Sequence, residues 1–203
     1  MAIFVLTGTP GTGKSSVANY FAKKGFIIID LNKLVNERHL WHGKEKGSKV
    51  VDIYSLKKET AKEISRIKKI LKSENLQKSK TNKQNIIVEG HLACEFQLPA
   101  DAVIILRTRP DMLIKRLKGR GYPRHKISEN VQVEMVDYCT SKSEENYNCP
   151  IYEVDSSGSL RATISKLNKI MQGYPKKAKK IKKKSINWSR YAFNNKVAKY
   201  LFE

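Results

Sequence analysis

The residues best suited to chemistry lie near the start of the chain, in the stretch GTPGTGKS at residues 8–15. Its pattern, G-x-x-x-x-G-K-S, matches a phosphate-binding loop without a mismatch. Glycines allow the tight turn that points backbone N–H groups at phosphate oxygens. The stretch follows an apolar run at Ala2–Leu6 and precedes a helical pattern, as such a loop requires. We therefore expect a phosphate loop here, in preference to a glycine-rich turn without a ligand.

The side chains of this loop predict a nucleoside triphosphate with magnesium as its ligand. Lys14 is expected to reach the β- and γ-phosphates as a point charge, and the Ser15 hydroxyl to ligate Mg²⁺. The Ser16 hydroxyl can donate to a further phosphate, and the helix N-terminus adds positive potential. The predicted ligands are thus ATP and Mg²⁺. The predicted binding residues of the loop are Gly11, Thr12, Gly13, Lys14, Ser15 and Ser16.

An acidic residue, Glu89, ends a second apolar run in the stretch IIVEGH at residues 86–91. A magnesium nucleotide needs its metal held from a second side, and a neighbouring strand end can supply the carboxylate. Glu89 is thus a candidate metal ligand, directly or through water, or a group that polarises a water or a substrate hydroxyl. An acid that caps a helix is the alternative. His91 is either a general acid or base near the γ-phosphate or a polar residue at the strand exit.

Five arginines fall within 18 residues, in a chain that otherwise prefers lysine. Arginine is the better fork for phosphate, so these residues are expected to stabilise a phosphoryl group in transfer. Arg107 and Arg109 follow a fourth apolar run, at the phosphate end of the predicted sheet. Arg116 and Arg120 are four residues apart and share one helix face. Arg120 and Arg124 flank Gly-Tyr-Pro, a predicted mobile lid, for which a solvated basic loop is the alternative.

These groups need a sheet to carry them, and the hydrophobic pattern predicts one. Short apolar runs predict five buried strands, at Ala2–Leu6, Phe26–Ile29, Ile86–Val88, Ala102–Leu106 and Ile151–Val154. Helices are predicted at Lys14–Lys24, Leu31–Leu40, Tyr54–Lys72, Pro110–Lys118, Glu129–Asn146 and Ser159–Met171. Loops are expected at Trp41–Lys49 and Gly119–Ser128. Strands that alternate with helices predict an α/β fold with a parallel sheet.

The composition is strongly basic, with 40 Lys and Arg against 19 Asp and Glu, for a net charge of +21. Such a field concentrates polyanions, nucleic acid first among them. No apolar run approaches the ~20 residues that span a bilayer. The three cysteines are odd in number and lack CxxC spacing, which fits a reducing compartment and disfavours zinc. We expect a soluble intracellular protein without a membrane partner.

A domain boundary is predicted between a body, residues 1–173, and a C-terminal extension, residues 174–203. The extension is first lysine-rich and then aromatic, and seven of its lysines fall in residues 176–184. This lysine-rich part is predicted to be disordered on its own. We expect some of the aromatic residues that follow to dock on the body or on a partner. A solubilising tail or a nonspecific tether for polyanions is the alternative.

The order of the motifs resembles the small adenylate kinase and ATPase family of archaea and eukaryotic nuclei, also described as the coilin-interacting nuclear ATPase. The shared pattern is GTPGTGKSS, then EGH, then LRTRPDMLIKRLKGRGY, then ENVQVEM, within roughly residues 1–172. The resemblance implies a P-loop NTPase of the nucleoside monophosphate kinase type, with a five-stranded parallel sheet between two helix layers. It also implies a monophosphate-binding region at about residues 30–53 and a lid at about 119–129.

The resemblance further implies an activity, partners and a location. Members of the family transfer phosphate from ATP to AMP, hydrolyse ATP, bind the small-subunit ribosomal protein S11 and act in late small-subunit rRNA maturation. Arg120 of the RGY motif is implied to bind ATP from the lid, in the cytoplasm of an archaeon or the nucleus of a eukaryote. The chain departs from the family in having Glu89 where Asp is usual, Asn36 where arginine is common, and a basic HGKEKGSK loop.

Two functional hypotheses follow. In the first, the protein is a nucleoside monophosphate kinase, in which Lys14, Arg116, Arg120 and Mg²⁺ neutralise the γ-phosphoryl group while AMP attacks in line. In the second, it is mainly an ATPase switch for ribosome assembly that binds a ribosomal protein or rRNA in a pre-ribosomal particle, with little AMP kinase activity. A small-molecule kinase of another family is a third class, for which the sequence offers no acceptor motif.

Overall fold

The computed structural model of the protein describes residues 1–45, 47–77, 84–173 and 186–202. The strands are β1 (Ile3–Thr7), β2 (Ile27–Asp30), β3 (Trp41–Glu45), β4 (Ser48–Val51), β5 (Ile86–Glu89), β6 (Ala102–Arg107) and β7 (Ile151–Asp155). The α-helices are α1 (Lys14–Ala22), α2 (Leu31–Glu37), α3 (Ile53–Gln77), α4 (Pro110–Gly119), α5 (Arg124–Met135), α6 (Tyr138–Asn146), α7 (Leu160–Gly173) and α8 (Asn195–Leu201). Within the described residues, none of these helices is both long and apolar enough to cross a bilayer.

Five strands form one parallel sheet in the spatial order β2-β5-β1-β6-β7, which confirms the predicted fold class. The central strands β1, β5 and β6 are buried along their whole length because helices cover both faces. One core cluster joins Val5 of β1 to Leu56 of α3. The cluster on the other face joins Phe4 to Phe21 of α1 and Leu167 of α7. The result is a sheet between two helix layers.

The carboxyl ends of the strands gather the polar groups at one edge of the sheet. The phosphate loop follows β1, and Glu89 ends the neighbouring strand β5, where it lies beside Leu6 of β1 and Asp30 of β2. Arg107 ends β6 on the other side of β1. In an open parallel sheet this edge is where ligands bind, at the point where strand order reverses around β1.

The prediction of a loop at Trp41–Lys49 is wrong, because β3 and β4 form an antiparallel hairpin there. The stretch HGKEKGSK is polar and has no alternating apolar pattern, so its sequence gives no strand signal. The hairpin is anchored at its base, where Trp41 and Val51 pair and pack against the core. Gly47 has a φ of 78°, the left-handed conformation that tight hairpin turns require.

The basic loop predicted at Gly119–Ser128 is shorter in the structure, because α5 already begins at Arg124. Ile127 and Val131 lie one helical turn apart and pack into a cluster with α4, which holds this first part of the helix in place. The single helix predicted over Glu129–Asn146 is divided into α5 and α6. Asp137 has a φ of 54°, a left-handed conformation that interrupts a helix.

The described part of the C-terminal extension, residues 186–202, packs on the body. Trp188 is 5% exposed, and Val197 and Tyr200 of α8 join a core cluster with α4 and α5. Aromatic residues of the extension therefore dock on the body, as the sequence predicts for some of them. The lysine-rich residues 176–184, predicted to be disordered alone, lie outside the described residues.

Candidate active site

The phosphate loop leaves an open space at the N-terminus of α1. Gly8, Gly11 and Gly13 have φ values of 136°, 95° and 101°, which L side chains rarely adopt. A Cβ at Gly8 would clash with the carbonyl oxygen of Leu106, whereas a Cβ at Gly13 would meet no atom within 4 Å. The first turn of α1 also has no acidic residue to compensate its free N–H groups. This geometry suits an anion such as a phosphate.

The Lys14 ammonium lies beneath the loop and is bonded only to backbone oxygens. Its Nζ donates to the carbonyl of Gly8 at 2.8 Å and to that of Thr9 at 3.2 Å. The residue is 7% exposed, and burial lowers the pKa of Lys14, an effect that the carboxylate of Glu89 partly opposes. Since no carboxylate forms an ion pair with it among the described residues, its charge is available to a phosphate.

Glu89 and Ser15 form a set of oxygen donors at the mouth of the loop. The Ser15 hydroxyl donates to Glu89 Oε1 at 3.4 Å, and Asp30 lies beside Glu89 in the adjacent strand. Burial raises the pKa of Glu89, and the negative charge of Asp30 raises it further, while Lys14 and Ser15 act in the opposite direction. Hydroxyl and carboxylate oxygens are the ligands that Mg²⁺ prefers, so these residues fit that ion.

His91 follows β5 on the same edge and is neutral at physiological pH. Burial lowers the pKa of His91 to about 4, and the positive charge of Lys14 contributes in the same direction. The backbone is fixed by the hydroxyl of Thr7, which donates to the His91 carbonyl at 3.2 Å. The imidazole has no hydrogen-bonding partner among the described residues. A neutral imidazole can donate and accept a hydrogen bond but supplies no positive charge to a phosphate.

Three cavities meet at the phosphate loop and share lining residues. The central cavity, of about 210 Å³, is lined by the predicted residues Lys14, Ser15, Glu89, His91 and Arg120. The outer cavity, of about 390 Å³, lies between the loop with Ser16 and the segments around Arg116 and Ser156. The large cavity, of about 800 Å³, lies on the opposite side, between α2, the hairpin, the His91 segment and α5. The loop is therefore accessible from two sides.

The five arginines predicted to bind phosphate are in different environments. Arg120 lines both the central and the outer cavity, and its guanidinium has no hydrogen-bonding or ion-pair partner among the described residues. Arg116 lines the outer cavity, where it donates to the Ser156 carbonyl at 2.7 Å. Arg109 pairs with Asp111 at 3.0 Å, and Arg124 donates to the Lys199 carbonyl. Only some of these groups are therefore directed at a ligand.

Arg107 is the clearest correction, because it is buried in a cluster of carboxylates and faces away from any cavity. It is 1% exposed and pairs with Glu134 at 2.8 Å, with Glu153 at 2.6 Å and with Asp137. Burial alone lowers the pKa of Arg107, but Glu134 and Asp137 together raise it above its usual value. Arg107 is thus a structural residue, and its position at a strand end does not make it a phosphate ligand.

Glu134 is a residue whose importance the sequence analysis missed. Its Oε2 accepts a hydrogen bond from the Thr9 hydroxyl at 2.5 Å, which ties α5 to the phosphate loop. Its Oε1 accepts from Arg107 Nε, from the Thr108 backbone and from Trp188 Nε1, at 2.8, 3.0 and 3.1 Å. The only signal in the sequence is its place in the ENVQVEM stretch, on the side of α5 that also carries Val131.

Comparison with known proteins agrees with this arrangement. Residues 4–137 match the AAA domain family. A protein of Methanosarcina mazei named "putative adenylate kinase" is 36% identical over 82% of this chain and 85% of its own length. The chain belongs to the adenylate kinase-like P-loop family. A protein of the same name from Archaeoglobus fulgidus is 32% identical over 92% of this chain and 91% of its own length. Among solved structures, a shikimate kinase from Bacteroides thetaiotaomicron is similar at a TM-score of 0.49 and 16% identity, covering 84% of this chain and 98% of that chain.

Proposed function

We propose that this adenylate kinase-like protein transfers the γ-phosphoryl group of ATP to a nucleoside monophosphate, AMP foremost, to give ADP. The observation that carries the proposal is the pair of cavities on opposite sides of one phosphate loop. A pure ATPase needs a nucleotide site and a water, whereas a second cavity of about 800 Å³ has room for a second nucleotide. In this assignment ATP binds from the outer cavity and the acceptor from the large cavity.

The roles of the residues follow from their positions around the central cavity. Lys14 exchanges its backbone carbonyl partners for phosphate oxygens, and Arg120 neutralises charge that develops on the transferring group. Ser15 and Glu89 would hold Mg²⁺, which offsets the negative charge of the phosphates when it is bound. His91 lines both the central and the large cavity, so its neutral imidazole orients the acceptor by a hydrogen bond.

A second candidate function is the ATPase switch of ribosome assembly, in late small-subunit maturation with S11 or rRNA as partner. The net charge of +21 favours it, since a small metabolic enzyme needs no such field. Glu89 also favours it, because a carboxylate beside the Ser15 hydroxyl is placed to orient a water. Both activities can belong to one protein, with ATP hydrolysis as the slower reaction when AMP is absent.

The test gives purified protein ATP alone, ATP with AMP, and ATP with small-subunit rRNA or S11, and measures ADP. The kinase proposal predicts ADP formation that depends on AMP, with two ADP made for each AMP consumed. Hydrolysis that ignores AMP but responds to S11 or rRNA would overturn the kinase proposal and support the switch. The Lys14→Met variant is the control, because either reaction of this site requires the lysine.

A further inference from the structure

The C-terminal extension has a buried side that completes the core around α4 and α5. Val197 and Tyr200 of α8 lie in one cluster with Leu117 of α4 and Ile127 of α5. Ser128 donates from its hydroxyl to the Tyr200 carbonyl at 2.5 Å. Since α4 and α5 flank the short loop that follows Arg120, the extension is packed against the helices that form one wall of the nucleotide cavities.

The same extension reaches the phosphate loop through a single carboxylate. Trp188 Nε1 donates to Glu134 Oε1 at 3.1 Å, and Glu134 Oε2 accepts from the Thr9 hydroxyl at 2.5 Å. The Thr9 carbonyl in turn accepts from Lys14 Nζ at 3.2 Å. Trp188, Glu134 and Thr9 are each 5% exposed or less, so this chain of hydrogen bonds is shielded from water. A displacement of Trp188 therefore changes the support of the loop that binds ATP.

The outer side of the extension is basic and aromatic. Phe193 is 89% exposed and Phe202 is 75% exposed, and the exposed side chains of Arg190, Lys196 and Lys199 belong to the same segment. The sequence from residue 174 to 202 has no acidic residue and includes seven lysines at 176–184. Exposed rings stack on bases, and the cations pair with phosphates, which is the combination that binds single-stranded nucleic acid without sequence preference.

We propose that the outer side of the extension binds single-stranded nucleic acid and that Trp188 and Glu134 transmit its occupancy to the phosphate loop. The two sides of the extension meet at Tyr191, whose ring lies 5.3 Å from the Arg190 guanidinium and 5.7 Å from the Trp188 ring. When Arg190 pairs with a phosphate, Tyr191 loses that contact and the indole beside it shifts. The proposal rests on the proposed function only in taking the loop to bind ATP.

The surface is tested by the affinity of the full-length chain for a labelled single-stranded oligouridine of about 20 nucleotides. Removal of both rings in Phe193→Ala/Phe202→Ala is expected to weaken binding about tenfold, because each stacked base contributes about 1–3 kcal/mol. Tyr54→Ala is the matched control, since Tyr54 is 75% exposed on α3, outside the extension. Equal affinity of the double variant and the natural chain would overturn the proposed surface, as would a loss seen only in Tyr54→Ala.

The coupling is tested by the dissociation constant of ATP with and without the oligouridine, which requires no turnover. We expect a change of about fivefold or more, and the same factor for the effect of ATP on oligouridine affinity, because coupling between two sites is reciprocal. Trp188→Phe keeps a buried ring but removes the donor to Glu134, so it should bind oligouridine normally and lose the coupling. Coupling that survives in Trp188→Phe would overturn the proposed route.

A second variant keeps the test decisive if Trp188→Phe does not fold. Thr9→Val has nearly the same shape and removes only the hydroxyl that donates to Glu134 at 2.5 Å. It should likewise bind oligouridine normally and show no coupling, and retained coupling would count against the proposal. Because ADP formation from ATP and AMP is not measured here, failure of the kinase function and failure of this inference give different results.

Discussion

Two clusters of charged residues flank the phosphate loop, and they differ in how their charges are satisfied. In the buried cluster, Arg107 is paired with Glu134, Asp137 and Glu153. In the central cavity, Arg120 has no such partner among the described residues, and Lys14 is bonded only to backbone oxygens. Both clusters lie at the carboxyl edge of the sheet. The difference shows that the unsatisfied charges, more than position at this edge, indicate where a ligand binds.

The largest expected effect tests the structural side of this comparison. Arg107→Met removes one charge from a buried cluster and leaves its carboxylates uncompensated, which typically lowers the free energy of unfolding by about 3–5 kcal/mol. Arg120→Met is the matched control, because it removes a guanidinium that has no protein partner, and its effect should stay within about 0.5 kcal/mol. Urea denaturation of both variants measures the difference. Equal stability of the two would contradict the distinction between the clusters.

The next effect tests the ligand-binding side. Lys14→Met removes the charge beneath the phosphate loop and is expected to lower the turnover number for ADP formation by about 10²–10³-fold, as loss of one transition-state contact does elsewhere. Because burial lowers the pKa of Lys14, the fold holds this ammonium at a cost, and the variant should be no less stable than the natural protein. Steady-state kinetics and urea denaturation together check both statements. Activity within tenfold of the natural protein would remove Lys14 from the transfer step.

A smaller effect concerns Glu89, the acid at the end of β5. Glu89→Gln should leave ATP affinity nearly unchanged and slow turnover by about 10²-fold, in the range of a lost general base or metal-orienting group. The folded-state pKa of Glu89 is raised, so its ionised form opposes folding at neutral pH, and the variant should be more stable there. ATP titration and single-turnover kinetics separate binding from chemistry. Full activity would return Glu89 to the role of a strand-end acid.

The sequence predicts the parts of the molecule that depend on local patterns. The buried strands, the phosphate loop and the position of Glu89 beside it follow from apolar runs that end in polar residues. The fate of Arg107 could not be predicted in this way, because its partner Glu134 is 27 residues away and Trp188 a further 54 residues along the chain. Pairing over such distances is decided by how helices pack on the sheet.

The hairpin formed by β3 and β4 shows a second limit of sequence patterns. Its middle is polar, and its conformation depends on the core contacts of Trp41 and Val51 at its base. It also brings Lys49 to the wall of the large cavity, where the ammonium donates to Asn36 and lies 4.7 Å from the Trp41 ring. A lysine from the hairpin thus stands next to the position where relatives of this type commonly carry an arginine.

The smallest expected effect concerns the protonation of His91 in the ligand-free protein. Its imidazole should titrate with a midpoint near pH 4 in an NMR titration, well below the usual value of about 6.5. Because the folded-state pKa is lowered, the unfolded chain binds the proton more readily. The stability that this group contributes is therefore fully present above about pH 6.5 and is lost as the pH falls toward 4. His91→Asn should lose stability less steeply across that interval. A midpoint near 6.5 would mean that His91 is solvated, and its assignment as a neutral hydrogen-bonding group for the acceptor would be wrong.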